Sequence, residues 1–344
     1  MNTPNLIKAI PKLEQHVHLI GSTQPKTLLW IMQDSGAKSS LKTLEDIKKF
    51  YKYTDFNHFI RVYSSVNDLV TKESYYELIT YELLQSESAC NVQHVEAIFS
   101  AFDHVRRGMD YGKMLNAINT GIFHATRDFG ITCSIRVDLV RNYGPEIGNM
   151  VLDWIRENGR NVVGIDIGGS EKEYPPEPYE QVYLRAKKMG LHLVAHAGEV
   201  AGPESVRGAV ERLGVERIGH GVTVAHDPEL MILIKNKGIT IEACPVSNLR
   251  TGAVKNLHEH PIREFIRNGI NVTVNSDDPS MFGTDMNNEY LLLNKELGFT
   301  PSELAKISFN AVNSAFLLEK RKQMLKEYFQ TELFKMGLDQ PREP

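Results

Sequence analysis

Eight short runs of apolar and β-branched residues, each followed by a stretch with helical spacing, constrain this chain more than anything else in its sequence. The runs cover residues 13–19, 92–100, 131–140, 161–167, 191–197, 217–221, 239–244 and 271–275. Several are nearly unbroken apolar segments (VVGIDI, LHLVAHA, ITIEAC, NVTVN), the pattern of parallel strands covered on both faces. Helical spacing fills residues 178–189, 204–213, 228–237 and 260–268, and Gly190, Gly214, Gly238 and Gly269 stand just before the next run. A helix end wants a left-handed residue there, and glycine adopts that conformation without strain. Strands alternating with helices predict a closed (β/α)8 barrel, the TIM barrel class of α/β folds. An open doubly wound sheet would place a glycine-rich phosphate loop after its first strand. Here the first strand runs instead into His16-Val17-His18-Leu19-Ile20-Gly21.

The connection from the first run to the second is long, and helical spacing at 25–32, 44–51, 56–70 and 72–86 predicts a helical insertion over residues 22–90. After the eighth run, Thr300-Pro301-Ser302-Glu303 has the form of a capping box with proline at the first helical position, opening carboxy-terminal helices that extend to about Lys335. A single barrel domain of 1–344 is the economical organisation, since such barrels often exceed 250 residues.

Composition removes several classes of function. With 43 acidic against 39 basic residues the net charge is −4, which argues against nucleic acid or an anionic membrane as partner. Mean hydropathy is −0.29, and no apolar run approaches the roughly 20 residues of a membrane span. The amino-terminal segment MNTPNLIKAIPKLEQ lacks the pattern of a secretory signal, and Cys90, Cys133 and Cys244 are few and far apart. A cytoplasmic protein with reduced thiols and a small-molecule partner is expected; the oligomeric state is not encoded in any pattern here.

Side chains two apart on a strand share a face, so His16 and His18 point together into the barrel near its carboxyl end. Such a pair is either a metal clamp or a costly burial of two polar rings. His196 ends the fifth run, His220 the sixth, and Asp277 and Asp278 follow the eighth. A barrel gathers all eight strand ends around one mouth, so these residues converge, and the convergence predicts a metal site. Three imidazoles (His16, His18, His196) and one carboxylate (Asp277) suit Zn²⁺ with an open position for water. The fourth strand end, GIDIGGSE, offers no bridging lysine, which favours one metal ion per chain over two. Glu199, three residues after His196, and His220 are the acid and base candidates beside a zinc-activated water.

The stretches LEQHVHLIGS, VVGIDIGGSE, HAGE, RIGHGV, CPVSNLRTGA and VNSDDPSMF, in this order, resemble the adenosine deaminase family, zinc barrel enzymes that replace the 6-amino group of a purine with oxygen. The resemblance covers nearly the whole chain. It implies that His16, His18, His196 and Asp277 hold zinc, that Glu199 protonates the purine nitrogen beside the reacting carbon, and that His220 orients the attacking hydroxide. It further implies that Asp278 bonds the imidazole side of the purine and that the Gly169 N–H bonds the opposite ring nitrogen, with His18 and residue 20 also bordering the substrate.

Two departures bear on the substrate. Ile20 stands where many members carry an acid for a ribose hydroxyl, and HVEAIFSAF lacks the arginine and proline often found on the second strand. Adenosine is the first expectation. The alternatives are 5′-modified adenosines (methylthioadenosine, aminodeoxyfutalosine), adenine and N6-methyl-AMP, the last needing a basic contact for which Lys26 and Arg250 are weak candidates. More distant readings are another barrel amidohydrolase and a non-catalytic zinc-binding barrel. A cytidine-deaminase-type site is excluded because Cys244-Pro245 has no partner cysteine. His58, His94, His104, His124, His192, His226, His258 and His260 are expected to stand outside the chemistry, with His192 packed in the core, and Met281-Phe282 to line or plug the pocket.

Overall fold

The computed structural model describes residues 2–338. Met1 and residues 339–344, the ends of the expected single domain, lie outside the described residues. Each apolar run forms a strand: β1 (Lys12–His18), β2 (Val92–Phe99), β3 (Thr132–Asp138), β4 (Val162–Asp166), β5 (His192–Ala197), β6 (Arg217–His220), β7 (Thr240–Ala243) and β8 (Asn271–Val274). They pair in parallel and in sequence order. Between β8 and β1 the ladder is replaced by a short seam. The Asp277 N–H donates to the His16 carbonyl (3.0 Å) and the His18 N–H to the Asp277 carbonyl (2.8 Å). Side chains finish the closure, the Gln15 N–H donating to Asn275 Oδ1 (2.9 Å) and the Ser276 N–H to Glu14 Oε1 (3.1 Å). The result is a (β/α)8 barrel.

Before β1 lies α1 (Thr3–Ala9), and between β1 and β2 stand α2 (Pro25–Ser35), α3 (Leu44–Phe50), α4 (Phe56–Leu69) and α5 (Glu73–Ala89), the four helices expected within 22–90. Their starts follow local chemistry: Thr43 and Asp46 form a capping box on α3, and the Asp55 carboxylate accepts the His58 N–H at the start of α4. The inner face of α4 buries Phe59, Val62 and Val66, and Phe59 packs on Phe282 with ring centroids 4.9 Å apart. Phe282 therefore plugs the space beneath the insertion. The capping box at Thr300 and Glu303 opens the helix Pro301–Ser314, and the final helix runs Glu319–Lys335. Gly190, Gly214, Gly238 and Gly269 all have positive φ, between 66° and 79°.

The barrel interior beneath the mouth is ionic. Arg136 donates to both oxygens of Glu242 (2.8 and 3.0 Å) and stands 3.5 Å from Asp166 Oδ2. Arg217 Nε lies 2.9 Å from Glu242 Oε1, and its Nη2 donates to Glu96. All five side chains are buried. Burial alone would raise Glu242, but Arg136 and Arg217 outweigh it and hold the carboxyl at about 2. Removing one partner of such a group leaves a charge in a dry interior. Arg136→Met should therefore lower stability by about 3–5 kcal/mol, read as a lower urea midpoint at unchanged slope; an unchanged midpoint would show that the carboxylates do not depend on this guanidinium.

Candidate metal centre and active site

His16 and His18, one residue apart on β1, face the same way, and the ends of β5 and β8 bring His196 and Asp277 to meet them. His18 Nε2 is 3.2 Å from His196 Nε2 and 3.3 Å from Asp277 Oδ1, and His16 Nε2 is 3.4 Å from the same Oδ1. One donor atom from each of the four residues lies within 4.8 Å of every other. Tetrahedral zinc with bonds of about 2.0–2.2 Å spaces neighbouring donors roughly 3.3–3.6 Å apart, so the spacing fits one ion. The chemistry of the atoms fits too. His16 Nε2 is buried with no hydrogen-bond partner among the described residues. Its Nδ1 is held by Glu242 (2.8 Å), and His196 Nδ1 by Asp166 (3.0 Å), which turns each Nε2 toward the common centre. A second grouping, His220, Cys244 and Asp277, is also compact, and burial pushes its Cys244 thiol well above the ordinary range.

Glycines make room for this cluster. A Cβ on Gly219 would stand 2.7 Å from His16 Cε1, and one on Gly21 would stand 1.7 Å from Asp278 Oδ1. Gly219 thus faces the interior, and a regular strand would send the next side chain outward. The backbone of His220 departs from that path with φ of 66°, and Asp277 has φ of 64°. Left-handed backbone at residues other than glycine costs on the order of 1–3 kcal/mol and gathers at functional sites. His220 Nε2 ends 3.7 Å from Glu199 Oε2 and 4.0 Å from Asp277 Oδ2. Burial, with Asp277 and Glu171 nearby, pushes the Glu199 carboxyl up to about 8. Burial also pushes Asp278 up, helped by Asp277 and Glu199, and its Oδ1 is buried without a partner among the described residues.

One cavity of about 280 Å³ is lined by His18, His196, Asp277, Asp278, Glu199, His220 and Gly169 together. The model of the adenosine deaminase family matches residues 11–332. The chain belongs to the adenosine deaminase family. An aminodeoxyfutalosine deaminase of Streptomyces coelicolor is 37% identical over 90% of this chain and 81% of its own length. An adenine deaminase of Acinetobacter baylyi is 32% identical over 94% of this chain and 97% of its own. Among solved structures, an amidohydrolase from Burkholderia ambifaria with bound Zn superposes with a TM-score of 0.89 at 28% identity, over 98% of this chain and 95% of that one. This member of the family is accordingly a deaminase, a hydrolase of carbon–nitrogen bonds acting on an adenine-based compound.

The deaminase differs from the sequence expectations at three positions. Ile20 is not at the cavity. After His18 the chain enters a 3-10 turn (Ile20–Ser22) that carries the Ile20 side chain into the apolar core, where it is buried. His192 is not packed in the core but is 43% exposed, bonded to Glu216 and stacked on Phe316 at 4.0 Å. His260 is not remote from the chemistry, because its Nε2 bonds Asn248 Oδ1 (3.1 Å) and Asn248 Nδ2 bonds His220 Nδ1 (3.1 Å). His58, His94, His104, His124, His226 and His258 do not line the cavity, nor do Lys26 and Arg250.

Sequence reasoning passed over Glu171, although it ends the GGSE stretch. Its carboxylate accepts the N–H groups of Gly198 (2.5 Å), Glu199 (3.2 Å), Val200 (2.9 Å) and Ala201 (3.0 Å), pinning the loop that carries Glu199. Hydrogen bonds to a charged acceptor contribute about 1.5–3 kcal/mol each. Glu171→Gln replaces two acceptor sites with donors, so the amides of Gly198, Val200 and Ala201 should exchange with deuterium roughly 10- to 100-fold faster. Unchanged protection would mean that the loop is held by other contacts.

Proposed function

We propose that the chain is a zinc-dependent aminohydrolase, with one ion held by His16, His18, His196 and Asp277, that converts C6–NH₂ of an unphosphorylated adenine-containing substrate to C6=O and releases ammonia. The observation that carries the proposal is the metal-type donor quartet, three of whose members line one cavity together with the buried Glu199 carboxyl. Zinc bound there supplies a Lewis acid that lowers the pKa of a coordinated water toward about 7.

The protein's own groups do the rest. Glu199 gives its proton to the ring nitrogen next to C6, which makes that carbon electrophilic. His220, 3.7 Å from Glu199, holds the attacking oxygen as it adds to C6. The C6–N bond then breaks; of the two protons of the attacking water, one goes to the departing amine, which leaves as ammonia, and one returns to Glu199, whose own proton stays on the ring nitrogen. Asp278, whose carboxyl burial pushes up, and the Gly169 N–H bracket the purine from opposite sides. Donors fixed before reaction stabilise the charge that develops at the ring.

No lysine or arginine lines the cavity among the described residues, which disfavours a phosphate-bearing substrate. The rest of the wall combines Phe56, Phe59, Ile60, Tyr63, Val140 and Tyr143 with uncharged and acidic polar groups such as Asn67, Asp103, Asp138 and Asn142. That wall favours an adenosine with a bulky non-phosphate 5′ group, of the type named for the S. coelicolor relative, ahead of adenosine itself. Free adenine is the second reading, favoured by the name of the A. baylyi relative.

Ammonia release from adenine, adenosine, methylthioadenosine, aminodeoxyfutalosine and AMP tests the reading, with AMP expected at least about 100-fold below the best substrate in kcat/KM. No ammonia from any of them, or AMP as the best, defeats it. Glu199→Gln should lower kcat by about 10²–10⁴-fold while zinc stays at one per chain by metal analysis. Loss of metal in that variant, or near-normal turnover, removes Glu199 from the role of acid.

A further inference from the structure

The groups behind His220 form a chain with a direction. Its anchor is the Ile262 backbone N–H, which donates to His260 Nδ1 (3.2 Å). A nitrogen that accepts cannot carry a proton, so the ring proton of His260 sits on Nε2. Burial agrees, pushing His260 down to about 4 and keeping it neutral. Nε2–H donates to Asn248 Oδ1 at 3.1 Å. With its oxygen committed to His260, the Asn248 amide turns its NH₂ the other way, and Nδ2 donates to His220 Nδ1 at 3.1 Å. His220 Nδ1 is therefore an acceptor as well. Asn248 and His260 are buried, at 0% and 4% exposure. No step in this chain relies on choosing an amide orientation freely, because it begins at a backbone N–H that cannot turn around.

We propose that Asn248 and His260 are positioning residues that fix the tautomer of His220, holding its proton on Nε2 where it faces Glu199 and Asp277. The proposal deepens, and rests on, the reading of His220 as the group that holds the attacking oxygen. The opposite tautomer would aim a lone pair at the Glu199 and Asp277 carboxyls, 3.7 and 4.0 Å away, and would have no proton to offer. The relay thus selects a hydrogen-bond donor over a base at this point. It acts through His220 and touches neither substrate nor metal ligand.

The test is the ¹⁵N spectrum of the zinc-loaded, histidine-labelled protein, in which long-range proton couplings separate protonated from unprotonated ring nitrogens. The His220 resonances are assigned by their loss in His220→Gln. Wild type should show His220 with the proton on Nε2. Asn248→Asp keeps the shape but replaces the NH₂ with an acceptor, so His220 should move its proton to Nδ1. In that variant kcat on the best purine substrate should fall about 100-fold or more, while KM changes less than about threefold and zinc content stays constant. His260→Phe should lose about tenfold or more in kcat, and His260→Gln, which restores a donor to Asn248, should recover most of that loss. A wild-type proton on Nδ1 overturns the relay, as does an Asn248→Asp enzyme with inverted tautomer and kcat within about threefold of wild type. Should Asn248→Asp fail to fold, the wild-type spectrum decides alone. If wild type releases ammonia from no purine, the assigned reaction fails while the spectrum still judges the relay.

Discussion

The active-site rings stand on a buried ionic layer. Two guanidiniums, Arg136 and Arg217, face three carboxylates, Glu96, Asp166 and Glu242, in the dry interior of the barrel. Taking such groups out of water is costly, and apolar residues of equal volume would pack there at less expense. What the layer provides is orientation. Glu242 and Asp166 each use one oxygen to grip the far nitrogen of a histidine, His16 or His196; Arg136 donates to Glu242 and stands 3.5 Å from Asp166. The rings are thereby held at the angle at which their free nitrogens meet.

Above that layer the site is built where regular strand geometry stops. His220 and Asp277 leave their strands in left-handed backbone, and Gly21 and Gly219 yield space that any other residue would fill. The Glu199 loop has no strand to hold it; the Glu171 carboxylate takes its consecutive backbone amides, and Thr223 donates to the Gly198 and Ala201 carbonyls. Strands β1, β5 and β6 carry His16, His18, His196 and His220, and the turns that follow β5 and β8 carry Glu199, Asp277 and Asp278. This division is the usual one for barrels whose chemistry lies at the carboxyl ends of their strands.

Much of this was legible in the sequence, and the boundary has a physical origin. Apolar run length and turn residues located every strand, and the period of two placed His16 and His18 on one face, because these signals depend only on neighbours along the chain. Ile20 was misplaced because the period of two ends at His18; a 3-10 turn rotates each residue by about a third of a circle and sends that side chain elsewhere. Glu171, Asn248 and His260 were missed for another reason. Their partners lie 27 to 30, 28 and 12 positions away, and no local spacing encodes a hydrogen bond across a barrel. Charges inside otherwise apolar strands, Arg136 in SIRVD and Glu242 in ITIEA, were the one sequence sign of the ionic layer.

The seam between the last strand and the first carries a further meaning. Asp277 supplies both the backbone groups that join β8 to β1 and a carboxylate of the donor quartet, whose members span residues 16 to 277. During synthesis the first two histidines emerge early, yet the fourth donor appears only when most of the polypeptide has been made. Completing the cylinder and completing the donor quartet are consequently one event, late in the life of the nascent chain, and an unfinished barrel holds only part of the quartet.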